Sequence, residues 1–138
     1  MSSVPQLRLH HLGMVVDDVA AAAAALVRAL GAVDDGQTYE DALQAARIRF
    51  VRLGDSRIEL LAPLGEESHL KRILQRGIGL YHACYEVPDV AAEIDRMRTN
   101  GATLVSPPKP AVAFDGRLVA FVMCRGLMIE LLQQHGAA

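Results

Sequence analysis

The sequence predicts an α+β protein made of two similar halves, and an internal repeat is the first observation behind that prediction. When the 138 residues are shifted by 71 positions, His11 falls on His82 and similar segments coincide along most of a half. Short apolar strands resemble one another by chance, but chance does not also keep a histidine, an aspartate and a glutamate in one register. The coinciding pairs include Val16 with Val87, Asp18 with Asp89, Phe50 with Phe121, Glu59 with Glu130 and Leu61 with Leu132.

The second observation is that each half has a strand, then a helix, then further strands. In the first half, residues 7–16 are apolar and predict a strand. Asp17 or Asp18 supplies an N-cap for the helix that follows, because apolar residues then recur at helical spacing until Gly31 ends it. Residues 47–53 and 57–61 flank a Gly-Asp-Ser turn, which predicts a hairpin.

The second half repeats this order. Leu80–Val87 predicts its first strand, and Asp89 opens a helix whose buried face includes Val90 and Ile94, with Gly101 at its end. Residues 118–123 and 127–133 predict the second hairpin. The prediction for the whole chain is a single domain over residues 1–138, with one module at about 7–64, a linker at about 65–78 and a second module at about 79–134.

Two connections break the symmetry between the halves. The linker is expected to hold a short helix at residues 67–76. Residues 106–116 contain prolines and glycine and are predicted to form a loop that covers a site.

Composition excludes several classes of protein. The chain is 51% hydrophobic and 22% charged, as expected of a globular domain rather than a disordered one. Its 14 basic and 16 acidic side chains give a net charge of −2, without the basic stripe typical of nucleic-acid binding. We expect no membrane span and no secretory signal, hence a cytoplasmic protein with a small-molecule partner.

Four residues indicate the chemistry of the site. Each half places one histidine in its first strand, His11 or His82, and one glutamate in its last strand, Glu59 or Glu130. If the halves pack around a pseudo-twofold axis, these side chains converge on one point. Two imidazoles and two carboxylates suit a first-row divalent metal and leave positions for water or substrate. A carboxylate flanked by isoleucine and leucine is costly to bury unless a cation or hydrogen bonds compensate it.

Other polar residues receive less specific interpretations. His10 is predicted to point to the face opposite His11, because side chains alternate along a strand. His69 and His135 are expected to be solvated, and Cys84 and Cys124 to be small buried packing residues. Glu86 is expected to be a surface charge at a strand end, although it and Asp115 remain reserve candidates for a base. Arginines at positions 47, 49, 52 and 57 either form an exposed face or include one that fixes an anionic substrate group.

The paired modules, the His11-Leu12-Gly13 motif and the Ile-Glu-Leu-Leu segment of each half resemble the vicinal oxygen chelate superfamily, which includes glyoxalases, extradiol dioxygenases and bleomycin-resistance proteins. The sequence is most similar to its methylmalonyl-CoA epimerase branch. The similar stretches are residues 11–16, 58–68, 82–87 and 127–131.

This resemblance implies two tandem βαβββ modules that form a curved, open-barrel sheet. It implies His11, Glu59, His82 and Glu130 as ligands of one divalent ion, with Co, Ni, Mn and Zn all acceptable. It also implies an enolate mechanism in which Glu130 is the expected base and Glu59 the second candidate, acting on a 2-substituted acyl-thioester or related carbonyl compound. A glyoxalase I-type lyase and a non-catalytic binding or resistance protein are the alternatives. Relatives usually pair, so we expect a homodimer.

Overall fold

The computed structural model describes residues 7–136. Its elements, in chain order, are β1 (Arg8–Val15), α1 (Val19–Leu30), β2 (Val33–Asp41), β3 (Ala46–Leu53), β4 (Ser56–Pro63), α2 (Leu70–Gln75), β5 (Leu80–Val87), α3 (Val90–Thr99), β6 (Thr103–Pro110), a 3₁₀ turn (Val112–Phe114), β7 (Leu118–Cys124) and β8 (Leu127–Gln133). Between residues 7 and 136, no helix is long and apolar enough to cross a membrane.

All eight strands form one curved, unclosed sheet in the order β2-β3-β4-β1-β5-β8-β7-β6. Within each half, the first and last strands run parallel, β1 with β4 and β5 with β8. The two halves meet where β1 and β5 pair antiparallel. This order is symmetric about the β1–β5 seam, which confirms the α+β class and the βαβββ plan of both halves.

The first helix of each half is defined by its caps. Asp18 accepts a hydrogen bond from Ala21 N at 3.0 Å, and Asp89 accepts one from Ala92 N at 3.1 Å. Each aspartate therefore satisfies one of the free N–H groups in a first helical turn. Gly31 ends α1 in the left-handed region at φ 70°, where a glycine has no steric penalty.

Three clusters of apolar side chains position the sheet. One packs α1 against β3 and β4, and its equivalent packs α3 against β7 and β8. The third lies on the concave side and includes Ile48, Phe50, Leu70, Phe114 and Leu132. The helices α1 and α3 thus cover the outer face, whereas α2 packs on the inner face that encloses the site.

The prolines of residues 106–116 do not make the whole segment a loop. Residues up to Pro110 belong to β6, an edge strand that pairs with β7 through two register shifts. An edge strand tolerates proline because its outward N–H groups have no partner to lose. Only residues 111–116 form a connection, and it contains the 3₁₀ turn that buries Phe114. The equivalent strand of the first half, β2, is likewise an edge.

Candidate metal centre

The four predicted ligands lie one on each of the four central strands. His11 is on β1, Glu59 on β4, His82 on β5 and Glu130 on β8. The strand pairing places Gly13 opposite both Glu59 and His82, so the ligands surround one point on the inner face. All four side chains are buried.

The ligand atoms are close together. His11 Nε2 lies 3.2 Å from Glu59 Oε1 and 3.1 Å from Glu130 Oε1. His82 Nε2 lies 3.2 Å and 3.0 Å from the same two oxygens, and 3.2 Å from His11 Nε2. Atoms bound to one first-row ion at about 2.1 Å are roughly 3.0–3.4 Å apart. The spacing of these four atoms therefore fits a shared divalent cation.

The hydrogen bonding of the cluster also fits a cation. Oε1 of Glu59 and Oε1 of Glu130 are buried and receive no hydrogen bond of good geometry within residues 7–136, although both are near the imidazole Nε2 atoms. A buried carboxylate oxygen without a donor is costly. A metal ion bound by both oxygens removes this cost, because two coordination bonds take the place of the missing hydrogen bonds.

Without a cation, the histidines compensate the two carboxylates. Burial alone lowers the pKa of His11, but Glu59 and Glu130 outweigh burial and raise it to about 9. The pKa of His82 is raised to about 10 by the same carboxylates, again against burial. Burial raises the pKa of each carboxyl, but the two histidines lower both pKa values below the usual range. The four groups are thus mutually stabilised as two cations and two anions.

Aromatic rings surround the histidines symmetrically. Phe50, directly across the strand pair from Glu59, meets the His11 ring edge-on at 5.8 Å between centroids. Phe121, directly across from Glu130, meets the His82 ring at 5.4 Å. These two phenylalanines are repeat counterparts, and their rings limit the rotation of the imidazoles.

A cavity of about 390 Å³ lies beside the metal centre. Tyr81 and Phe121 form the shared wall, because both rings contact His82 and both line the cavity. Most of the remaining lining is apolar. Its polar groups are Gln44, His69, Ser106 and Lys109. The hydroxyl of Ser106 is buried without a hydrogen-bond partner among the described residues, so it is free to bind a polar atom of a ligand.

The structure corrects three interpretations. His10 does not point away from His11, because a register shift between Leu9 and His11 breaks the alternation of β1. His69 is not merely solvated, since it lines the cavity and its Nε2 lies 3.1 Å from the Tyr81 hydroxyl. Cys124 is exposed rather than buried, at the end of β7, whereas Cys84 is buried as expected.

The reserve candidates and the arginines lie outside the ligand cluster. Glu86 pairs with Arg117 at 3.1 Å, and Asp115 is exposed in the connection after the 3₁₀ turn. Arg47 pairs with Glu40, and Arg49 with Asp34. Arg57 contacts His10, which leaves Arg52 as the member of the set without an ion pair or side-chain hydrogen bond among residues 7–136. None of these arginines lines the cavity within the described chain.

Sequence reasoning missed Tyr81, Phe114 and Lys109 as neighbours of the site. Alternation along β5 would place Tyr81 on the face opposite His82, but a register shift in the pairing with β1 interrupts it, and Tyr81 lines the cavity. Phe114 carries no signal in the sequence, because its position depends on the 3₁₀ turn. Lys109 reaches the cavity from an edge strand whose register shifts cannot be read from spacing.

Comparison with known proteins agrees with this architecture. Residues 10–121 match the model of the glyoxalase/bleomycin resistance protein/dioxygenase superfamily. The chain is 34% identical to an ethylmalonyl-CoA/methylmalonyl-CoA epimerase of Cereibacter sphaeroides, over 91% of this chain and 97% of that protein. It is 32% identical to the mitochondrial methylmalonyl-CoA epimerase of Homo sapiens, over 91% of this chain and 73% of that protein.

A solved structure is also similar. The methylmalonyl-CoA epimerase of Mycobacterium tuberculosis superposes with a TM-score of 0.81 at 26% identity, over 96% of this chain and 92% of that one. The fold and the matched residues define an enzyme of the glyoxalase/bleomycin resistance/dioxygenase superfamily. Within that superfamily, the chain belongs to the methylmalonyl-CoA epimerase family.

Proposed function

We propose that the protein is a metal-dependent epimerase of 2-substituted acyl-CoA thioesters, with a methylmalonyl-CoA-like substrate. The observation that supports this most directly is the convergence of His11, Glu59, His82 and Glu130 next to a mainly apolar cavity. Relatives described as ethylmalonyl-CoA/methylmalonyl-CoA and methylmalonyl-CoA epimerases support the substrate class. We assign one divalent ion, Co²⁺, Ni²⁺, Mn²⁺ or Zn²⁺, to the four ligands.

The reaction requires removal of a proton from the carbon beside the thioester carbonyl. A bound divalent ion supplies a Lewis acid that makes this proton more acidic. We assign the base to Glu130, with Glu59 second. The strand pairing supports this order. Phe121, directly across from Glu130, lines the cavity, whereas Phe50, directly across from Glu59, does not.

Each carboxylate performs a distinct task in this proposal. Glu130 accepts the proton, and the electron pair of the broken C–H bond is delocalised into the enolate. A proton from solvent added to the opposite face of the same carbon inverts its configuration, and Glu130 then releases to solvent the proton that it took. Glu59 keeps a negative charge at the site throughout. The mainly apolar lining of the cavity strengthens each of these electrostatic interactions.

Exchange of hydrogen with solvent tests this mechanism. Methylmalonyl-CoA incubated with metal-loaded protein in D₂O should gain deuterium at its acidic carbon, as measured by mass spectrometry. Glu130→Gln should lower the rate of hydrogen exchange about 10²–10⁴-fold, because the substitution removes the base. Glu59→Gln is the matched control: it should have a milder effect, since the amide oxygen still coordinates a cation.

The outcome also separates the alternatives. Equal, small losses in the two variants would show that the base lies elsewhere. Isomerisation of a hemithioacetal with no exchange of acyl-thioesters would favour the glyoxalase I-type lyase. Tight binding of an unchanged ligand, with no exchange of any carbonyl compound, would favour a binding protein.

We also propose a symmetric homodimer. Large apolar side chains, including Leu9, Leu80 and Leu127, are exposed in the single chain, and the edge strands β2 and β6 have unpaired backbone groups. Light scattering at micromolar concentration should give twice the chain mass of 14.9 kDa. A sharp monomer mass would contradict the proposal.

A further inference from the structure

His10 occupies an unusual place next to a proposed metal ligand. The register shift in β1 brings its ring beside that of His11, and the two Nδ1 atoms are 2.8 Å apart. Its ring also meets Phe114 edge-on at 5.3 Å. The second half has no equivalent, because His82 Nδ1 is buried without a hydrogen-bond partner among the described residues.

We propose that His10 is a positioning residue for His11. The inference rests on the metal site proposed above. A nitrogen that binds a metal carries no proton, so a neutral His11 that binds through Nε2 has its proton on Nδ1. That N–H then donates to His10 Nδ1, which fixes both the tautomer and the orientation of the ligand ring.

Arg57 contacts the other nitrogen of His10. Its guanidinium lies against His10 Nε2, and a guanidinium only donates hydrogen bonds. When His10 Nδ1 accepts from His11, the proton of His10 is on Nε2, where it faces the arginine donor. Arg57, and not His11, is therefore the neighbour that has to move.

Burial makes the His10 contact difficult to replace. The His11 side chain is inaccessible to solvent, so water has little access to its Nδ1 once His10 is removed. Arg57 is exposed and can swing away from His10 into solvent. Glu86 and Arg117 also act on His10, but they pair with each other at 3.1 Å.

Zinc affinity, measured by competition with a chromogenic chelator, tests the role of His10. His10→Leu preserves apolar packing and has no acceptor, and we expect Zn²⁺ binding to weaken about 10–100-fold. His10→Asn supplies an amide oxygen as acceptor and should recover most of the loss. Binding that is as tight in His10→Leu as in the original protein, or tighter in His10→Leu than in His10→Asn, would show that His10 only packs.

Nitrogen-15 spectra of the imidazole rings give a readout independent of affinity. In the Zn²⁺-loaded protein, the proton of His11 should be on Nδ1 and that of His10 on Nε2, which leaves His10 Nδ1 as the acceptor. A His10 proton on Nδ1 in the Zn²⁺-loaded protein would overturn the inference. Failure of the original protein to bind Zn²⁺, Co²⁺, Ni²⁺ or Mn²⁺ would instead overturn the metal site itself, so the two failures are distinguishable.

Discussion

His11 and His82 occupy equivalent places in the repeat, yet their surroundings differ. The His11 ring is packed by added side chains: Phe114 stacks on it at 5.7 Å between centroids, and His10 contacts its Nδ1. The His82 ring instead lies where Gly13 has no side chain. Both histidines are packed by aromatic rings, but the His11 ring gains Phe114 and His10, whereas the His82 ring occupies space that Gly13 leaves open.

The edges of the two halves differ in a similar way. In β2, Asp34 forms a two-point ion pair with Arg49 of β3. Its counterpart β6 has three prolines and two register shifts, and it contributes Ser106 and Lys109 to the cavity. The edge of the first half has one register shift and is held by an ion pair, whereas the edge of the second half has two and supplies polar groups to the cavity.

The largest effect on metal affinity is expected from adding a side chain at Gly13, beside the His82 ring. A Cβ at Gly13 would lie 2.2 Å from His82 Cε1, so Gly13→Ala must displace the ligand ring. We expect metal affinity to fall by at least about tenfold, and overpacking to lower the free energy of unfolding by about 1–3 kcal/mol. Chelator competition and chemical denaturation measure the two effects.

Gly79→Ala is the matched control for this substitution. No atom lies within 4 Å of a Cβ built there, and its φ is not in the left-handed region. It should leave metal affinity unchanged. A similar loss in both variants would show that the space at Gly13 is not what positions His82.

The response to pH should sharpen the comparison of the histidines. The pKa of His11 is raised to about 9 and that of His82 to about 10 in the metal-free protein, against about 6.5 in an unfolded chain. The folded state therefore binds more protons in this range, and its stability falls as pH rises. We expect the Tm of metal-free protein to be highest near pH 6.5 and to drop by several degrees toward pH 10.

Substitution tests whether both histidines contribute to this drop. His11→Gln and His82→Gln should each remove part of it, because each removes a histidine whose pKa is raised. Thermal denaturation followed by circular dichroism across pH 6–10 gives the measurement. A flat Tm over this range would contradict the proposed coupling of histidines and carboxylates.

A smaller effect, on stability alone, is expected at a hydrogen-bonded contact between the halves that lies away from the proposed metal site. The buried carboxylate of Asp41 accepts hydrogen bonds from Gln44 N, Gln44 Nε2 and Val112 N, at 3.2, 2.7 and 3.1 Å. Val112 is the repeat counterpart of Asp41, so this contact crosses the pseudo-twofold axis. Asp41→Ala should cost about 1–3 kcal/mol of unfolding free energy, because it removes a buried acceptor and leaves three partly buried N–H groups unpaired.

Urea denaturation measures the effect of Asp41→Ala, with Asp55→Ala in the exposed turn after β3 as its control. Asp55→Ala should change the free energy of unfolding by less than about 0.5 kcal/mol. If the two substitutions cost the same, the contact between the halves contributes nothing of its own.

The smallest effect is expected at β2, the edge strand of the first half. Arg49→Gln breaks the ion pair with Asp34, whose two side chains are 18% (Arg49) and 26% (Asp34) exposed. Such pairs contribute less than about 1 kcal/mol, so the Tm should fall by a few degrees at most and metal affinity should not change. A loss of metal binding in Arg49→Gln would contradict the separation of edge and site.

The repeat made the central part of the molecule predictable from the sequence. Strands and helix caps depend on residues close together in the sequence. The 71-residue offset gives each predicted ligand an equivalent residue in the other half. The positions of His10 and Phe114 were not predictable, because one depends on a register shift and the other on a 3₁₀ turn. The strand β6 was missed because prolines normally oppose strands and only its place at the edge permits them.

The placement of one proposed ligand on each of the four central strands has a consequence for assembly. A bound ion would join two ligands from residues before the linker to two from after it, and so act as a reversible cross-link between separate pieces of chain. Cleavage of the backbone between Glu66 and Lys71 should then yield two fragments that reassociate more tightly when a divalent ion is added. At an ion concentration about 100-fold above Kd, the added stability would be about 2.7 kcal/mol.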